Sequence, residues 1–280
     1  MGFATPDAMT KALTGGRKQE WSFFKDGGAT NETPEAAGNY VSYYLATGSP
    51  GAGTAPTTSW SSFDNGSGSM FFSDVSTNKR YVYGVDFCST VAGTLLIYDR
   101  IGHRQTAANA LAALGDKTIG ASLASRYSGA DAEDLHNVEA WIEVTTATNT
   151  TAPIVSMNSY TNSDGTSGRA GGSLTFPATA TNIGWCAPLP LAAGDKGVQA
   201  INTINVATAA ASTGTANVFL MRPIARVSVP VANIMTSITV HDGLVPRRIY
   251  DDSSLCFVFF TTATTVADFW GTLVTVYDGA

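Results

Sequence analysis

Apolar and polar residues alternate along much of this chain, and the pattern is clearest at residues 138–146. One set of alternate positions is apolar and consists of Val138, Ala140, Ile142 and Val144. The other set consists of Glu139, Trp141, Glu143 and Thr145. Because successive side chains of a β-strand lie on opposite faces, this period of two predicts a half-buried strand. A helix would instead repeat its apolar positions every three or four residues.

Segments of the same kind recur through the rest of the chain, separated by turn-forming clusters rich in Gly, Asn, Asp and Ser. Further strands are predicted at 80–88, 93–98, 154–157, 173–176, 198–207, 217–221, 225–229, 237–240, 255–261 and 269–277. Almost no helical pattern lies between them, so the helical crossovers that parallel strands need are missing. The pattern therefore predicts an all-β fold, an antiparallel β-sandwich of jelly-roll type.

The chain begins with a segment that differs from this pattern. Residues 5–14 predict one short helix, because Thr5 can cap its start, Pro6 suits its first turn and Gly15 follows its end. So short a helix is not stable alone, so we expect it to dock on another part of the protein.

Residues 15–75 mix large aromatic residues with runs of Gly, Ser, Thr and Pro, which is typical of a long, partly extended arm. Exposed aromatic side chains are costly, so the arm is expected to wrap either its own body or a neighbouring subunit. We therefore predict a helix and arm at 1–75 and a β-sandwich body at 76–280. Residues 101–135 have the weakest pattern and predict a weakly ordered or helical insertion.

The composition narrows the possible partners. Charged residues make up 14% of the chain, against about 25% in ordinary globular proteins, and the formal net charge is −6. No basic face is apparent, so we expect no binding of nucleic acid. No apolar stretch approaches the length of a membrane span, and the N-terminus lacks the pattern of a signal peptide. The expectation is a protein made in the cytoplasm, with Cys88 and Cys256 as buried thiols in apolar strands.

Catalytic and metal-binding patterns are weak throughout. His103, His136 and His241 form none of the usual zinc motifs and are interpreted as surface or loop residues. Glu139 and Glu143 share a strand face but stand about 13 Å apart, too far for the carboxylate pair of a glycosidase, and are interpreted as solvated charges. The sequence therefore predicts a protein that is not an enzyme, with no catalytic residues, no cofactor and no metal site.

Aromatic residues are the candidates for contact with a partner. Those of the arm that we predict to form an interface are Trp21, Phe23, Phe24, Tyr43, Tyr44 and Trp60. Trp141 is added because it stands on the polar face of its strand. It could stack on a sugar, or it could pack under residues 101–135 or against another subunit.

Several segments carry a resemblance to a known class of proteins. They are residues 95–100 (LLIYDR), 141–148 (WIEVTTAT), 159–162 (SYTN), Gly168 with Arg169, 188–198 (PLPLAAGDKGV) and 270–273 (WGTL). In these segments the chain resembles a structural protein encoded among the capsid genes of tailed bacteriophages. The resemblance extends over roughly residues 80–280 and includes no catalytic motif.

The resemblance implies a virion component that decorates or cements the capsid. Its expected partners are the major capsid protein and copies of itself, with a trimer favoured among homo-oligomers. The alternatives are a head–tail junction or tail component with the same fold, and a carbohydrate- or receptor-binding module that uses Trp141.

Overall fold

The computed structural model describes residues 3, 5–27, 37–62, 68–72, 75, 78–123, 136–148, 151–177 and 183–279. Its first element is helix α1, Pro6–Thr14, which confirms the predicted helix. The side-chain oxygen of Thr5 accepts a hydrogen bond from the backbone N–H of Ala8, and the backbone N–H of Gly15 closes the last turn. Met9 and Ala12 are buried on its inner side.

The described residues form seventeen β-strands and two short 3₁₀-helices, the latter at Ala110–Ala112 and Val240–Asp242. In chain order the strands are β1 (Lys18–Asp26), β2 (Tyr40–Ser42), β3 (Thr47–Ser49), β4 (Ser61–Ser62), β5 (Arg80–Ser89), β6 (Gly93–Gln105), β7 (Gly115–Ser122), β8 (Glu139–Thr146), β9 (Ile154–Asn162), β10 (Ser173–Thr175), β11 (Trp185–Pro188), β12 (Val198–Thr208), β13 (Thr215–Val229), β14 (Thr236–Thr239), β15 (Arg248–Ile249), β16 (Leu255–Thr261) and β17 (Phe269–Tyr277). All their pairings are antiparallel, as predicted.

These strands form three sheets. The first has the order β14-β5-β17-β1-β3, with β15 also paired to β5, and the second has the order β10-β9-β12-β7. The third has the order β13-β8-β11-β2-β16-β6-β4, and β13 pairs with β6 as well as with β8. Six strands of the third sheet therefore close into a ring, β13-β8-β11-β2-β16-β6 and back to β13.

The ring lies between the other two sheets, and each side has its own apolar core. Phe23 and Phe87 of the first sheet pack against Phe257 and Phe259 of the ring. On the other side, buried residues of β7, β9 and β12 pack against Ala140, Ile142 and Val144 of β8 and against the start of β13. The predicted antiparallel sandwich is thus confirmed, with the closed ring as its middle layer.

A third core fills the ring itself. Its buried members are Tyr44, Tyr98, Trp141, Cys186, Phe219, Met221, Cys256 and Val258, with Tyr40, Leu45 and Leu96 packed against them. Every strand of the ring contributes at least one of these residues. Cys88, Cys186 and Cys256 are free, buried thiols, which agrees with the prediction for Cys88 and Cys256.

The predicted boundary at residue 75 does not follow the sheets. β1 pairs with β17 over eight positions from Lys18↔Val276 to Lys25↔Phe269, and β2 lies between β11 and β16 in the ring. These parts of the expected arm are therefore strands of the body, and most of the described aromatic residues of the arm pack against their own chain. The reason is that Trp21 and Phe23, two residues apart on the same face of β1, pack into the first core.

The expected insertion at 101–135 is also mostly strand where it is described. Residues 101–105 complete β6, and residues 115–122 form β7 at the edge of the second sheet. Polar residues alternate with Ile119 and Ala121 in β7, so one of its faces is buried and the other exposed. Residues 124–135 lie outside the described residues.

Candidate functional site

The ring has an opening where two of its strands separate. β13 pairs with β8 only as far as Met221↔Glu139, but it continues to pair with β6 as far as Val229↔Gly93. The pairing with β6 shifts between Pro223 and Ala225, as expected for a proline, which has no backbone N–H to donate. Where β13 separates from β8, a pocket lies at the open end of the ring, which we call its mouth.

This pocket has a volume of about 470 Å³. One side is formed by ring residues from β2, β6 and β8, and another by residues 223–226 of β13. The wall is completed by Ile238 of β14 and, in the segment before β15, by Gly243, Leu244, Val245 and Arg247. Pockets of this size, mostly apolar with a few polar groups, are typical of small-ligand sites.

Three aromatic rings meet at the inner end of the pocket. Trp141 packs edge to face against Tyr40 and Tyr98, with ring centroids 5.3 and 5.5 Å apart. Tyr40 also contacts Phe260 at 4.9 Å and is half-buried, whereas Trp141 is 2% exposed. Edge-to-face pairs of this kind each stabilise by about 0.5–1.5 kcal/mol, so the three rings form a rigid corner.

Glu139 places a carboxylate in the same corner. Its Oε2 accepts hydrogen bonds from Nε1 of Trp141 at 2.7 Å and from Oη of Tyr98 at 3.1 Å. Burial raises the pKa of Glu139 above its ordinary value, although these two bonds act in the opposite direction. Burial and the neighbouring carboxylate also raise the pKa of Tyr98, so Tyr98 remains a donor.

Two arginines lie on the outer part of the wall. Arg226 is exposed on β13, and Arg247 is half-buried just before β15. Among the described residues neither guanidinium has an ion-pair partner. The pocket thus has an aromatic and acidic inner end and a basic rim.

Further along β8, the face that carries Glu139 and Trp141 also carries Glu143, which lies inside the ring. Glu143 is 2% exposed, and its Oε2 accepts a hydrogen bond from Nδ2 of the fully buried Asn217 at 3.0 Å. The guanidinium of Arg100 lies over the ring of Tyr44 at 4.1 Å. Burial, and next the charge of Arg100, lower the pKa of His103 to about 2, so this histidine is neutral.

A second surface feature lies on the outer face of the first sheet. Phe24 of β1 stands opposite Trp270 of β17, and Trp270 stands opposite Cys88 of β5. Extending the pairing Thr236↔Phe87 by one residue places Met235 beside Cys88. We call Phe24, Trp270, Cys88 and Met235 the apolar row. Phe24, Trp270 and Met235 are 43%, 37% and 53% exposed, whereas Cys88, between Trp270 and Met235, is buried. Such exposure is unusual for large apolar side chains on one sheet face.

The structure separates the seven predicted interface residues into two groups. Phe23, Tyr43, Tyr44 and Trp141 are buried within the chain. Trp21 contacts Phe71 and Phe72 at 5.7 and 5.8 Å, Trp60 packs against the second core, and Phe24 is exposed. The pocket includes Trp141 and the apolar row includes Phe24.

Some of the interpretations drawn from the strand at 138–146 are wrong. Glu143 is buried and Glu139 is half-buried rather than solvated, because the ring closes over the face that carries them. Trp141, on the same face, is buried within the ring of its own chain. His103 is 4% exposed in β6 rather than a surface residue. Sequence reasoning also did not find Tyr40, Tyr98, Arg226 or Arg247 as pocket residues, since no local pattern connects them.

A separate cluster of hydrogen bonds connects the loop before β12 to the second sheet. The carboxylate of Asp195 accepts hydrogen bonds from Nε of Arg169 at 3.0 Å, from Nδ2 of Asn162 at 2.9 Å and from Oη of Tyr160. These donors, Arg169 first, lower the pKa of Asp195 to about 2. Tyr160 and Asn162 lie on β9, Arg169 lies between β9 and β10, and Asp195 lies in the loop before β12. None of them lines the pocket.

No protein-family model matches the chain, and no curated protein matches it in sequence. Similar solved structures include a family 11 carbohydrate-binding module of a Clostridium thermocellum cellulase, at 12% identity and a TM-score of 0.19, covering 61% of this chain and 96% of that one. They also include VP2 of infectious bursal disease virus, at 10% identity and a TM-score of 0.11, covering 94% of this chain and 42% of that one.

A third similar structure is the tripod of the baseplate of bacteriophage Tuc2009, at 11% identity and a TM-score of 0.11, covering 78% of this chain and 65% of that one. Viral capsid and phage baseplate proteins are thus among the weak structural neighbours, and the chain spans less than half of the VP2 chain. Similarity this low carries no argument about function. Among the described residues, no helix has the length and apolar character that crossing a bilayer would require.

Proposed function

We propose that the chain is a non-enzymatic structural protein of a virus particle and that it decorates or cements the capsid of a tailed bacteriophage. The observation that carries this proposal is the apolar row, in which Phe24, Trp270 and Met235 lie across the outer face of the first sheet with much of their surface exposed. An aromatic side chain can bury about 150–250 Å², so covering the row would stabilise attachment to another protein.

The composition supports the same role. With 14% charged residues, the surface can pack against a neighbour without burying many unpaired charges. The segments that resemble proteins encoded among phage capsid genes point in the same direction. The proposed partners are the major capsid protein and further copies of this chain, as a homo-oligomer with a trimer favoured, and the proposed location is the virion.

The alternative structural role is a head–tail junction or tail component, which would use the same exposed row. Quantitative mass spectrometry of purified particles separates the two roles by copy number. A number that scales with the major shell protein supports decoration, whereas a number that fits a single ring supports the junction. Absence of the chain from purified particles contradicts both.

Substitutions in the row test the attachment surface. We expect the double variant Phe24→Thr, Trp270→Thr to enter particles at about one tenth of the wild-type level or less, because central aromatic contacts dominate most interfaces. Leu114→Thr is the matched control, since Leu114 is 65% exposed but lies outside the row. Circular dichroism checks that each variant is folded. Wild-type incorporation of a folded double variant would refute the role of the row.

A further inference from the structure

The pocket at the mouth of the ring has polar groups that the fold does not fully use. Both hydrogen bonds to Glu139, from Trp141 and from Tyr98, are accepted by Oε2. Oε1 belongs to a half-buried side chain that lines the pocket and can accept further hydrogen bonds. The natural complement of such an acceptor is a ligand that carries hydroxyl groups.

The aromatic corner restricts the shape of that ligand. Tyr40 is half-buried, and its ring contacts the rings of both Trp141 and Phe260. A rigid aromatic ring next to an oxygen acceptor suits a molecule that has both an apolar face and hydroxyl groups, as a sugar ring does.

The rim restricts the charge of the ligand. Arg226 and Arg247 line the same pocket, and in the described part of the chain neither is paired with a carboxylate. A guanidinium group binds a carboxylate in a planar, two-point arrangement, so these residues favour an anionic group at the outer end. A purely apolar carboxylic acid would suit the rim but would leave Glu139 buried against hydrocarbon, at a free-energy cost.

We infer that this pocket binds a saccharide that carries a carboxylate group. The sugar ring lies against Tyr40, its hydroxyl groups donate to Glu139, and its carboxylate accepts from Arg226 and Arg247. This inference rests on the pocket alone and does not depend on the proposed attachment through the apolar row, which lies on the outer face of another sheet.

Calorimetric titration of the full chain with three probes tests the inference. The probes are methyl β-glucuronide, the methyl glycoside of N-acetylneuraminic acid, and methyl β-glucoside as the neutral counterpart of the first. We expect at least one acidic probe to bind, and methyl β-glucoside to bind about tenfold more weakly than methyl β-glucuronide if the latter is the ligand. Comparison of the two acidic probes distinguishes a uronic acid from a sialic acid. Binding of neither acidic probe overturns the inference. So does a result in which the glucuronide is the only acidic probe that binds and it binds no more tightly than the glucoside.

Variants of the two rim arginines test whether they bind the carboxylate of the ligand. Arg226→Gln and Arg247→Gln should each weaken binding of the acidic probe about tenfold, which corresponds to the loss of one charge-assisted hydrogen bond. Both side chains reach solvent, so the fold is retained. Lys196→Gln is the matched control, because it removes one positive charge at an exposed position outside the pocket. Unchanged affinity in both arginine variants would refute the assignment of the carboxylate to the rim.

Discussion

Replacing Glu143 and Asn217 with alanine, singly and together, tests whether the polar face of β8 is enclosed in the ring. In the closed ring these two side chains are 2% and 0% exposed and share a hydrogen bond of 3.0 Å. If the face were solvent-facing, as the alternation at 138–146 alone suggests, each change would alter the free energy of unfolding by less than about 0.5 kcal/mol.

The buried geometry gives much larger expected effects. Glu143→Ala leaves the Asn217 amide without its acceptor, which costs about 1–3 kcal/mol, and it also removes buried methylene groups. Asn217→Ala leaves a buried carboxylate without its donor, which costs about 3 kcal/mol or more. The double variant removes both partners, so it should be more stable than the sum of the single effects predicts, with a coupling free energy of about 1–3 kcal/mol.

Urea unfolding of the four proteins, followed by circular dichroism and by tryptophan fluorescence, measures these free energies. Coincident transitions by the two probes and equal slopes would justify the comparison. Glu20→Ala is the matched control, because the Glu20 side chain is 50% exposed in its ion pair with Lys18. Removing it should change the free energy of unfolding by less than about 0.5 kcal/mol. A coupling free energy below about 0.5 kcal/mol, or a Glu143→Ala effect no larger than that of Glu20→Ala, would refute the enclosed face.

Two further predictions concern other parts of the fold. Since the pKa of Asp195 in the folded chain is about 2, below its ordinary value of 3.8, its contribution to stability is complete above about pH 4 and is lost as the pH falls towards 2. The stability difference between the wild type and Asp195→Asn, from urea midpoints, should therefore shrink over this range, and a constant difference would contradict it. Gly271→Ala should destabilise by about 1–3 kcal/mol, because a Cβ there would lie 2.1 Å from the backbone oxygen of Asp86, whereas Gly51→Ala, with open space around it, should be close to neutral in the same assay.

Much of the local structure could be predicted from the sequence. The helix at Pro6–Thr14 follows from its cap and its proline, and the strands follow from alternation, because both signals are carried by neighbouring residues. The absence of helical crossovers was enough to predict antiparallel sheets.

The predicted arm at 15–75 differs from the structure because short strands leave little local signal. β2 and β3 have only three residues each, too few to show a period, and they are held in place by partners far away in the chain. A short strand of this kind gains its stability from the sheet that it completes. The local composition, rich in Gly, Ser and Thr, therefore predicts an extended arm instead of these strands.

The sequence by itself determined that β8 has two chemically different faces, one of small apolar residues and one that carries Glu139, Trp141 and Glu143. Only the tertiary structure decided that both faces are buried. Closure of the ring supplies hydrogen-bond partners, among them Asn217 and Tyr98, that lie 74 and 41 residues away in the chain. A polar side chain can be buried when such partners satisfy it, and their positions depend on strand pairing over the whole chain. The pocket has the same origin, because its aromatic, acidic and basic residues meet only where β13 separates from β8.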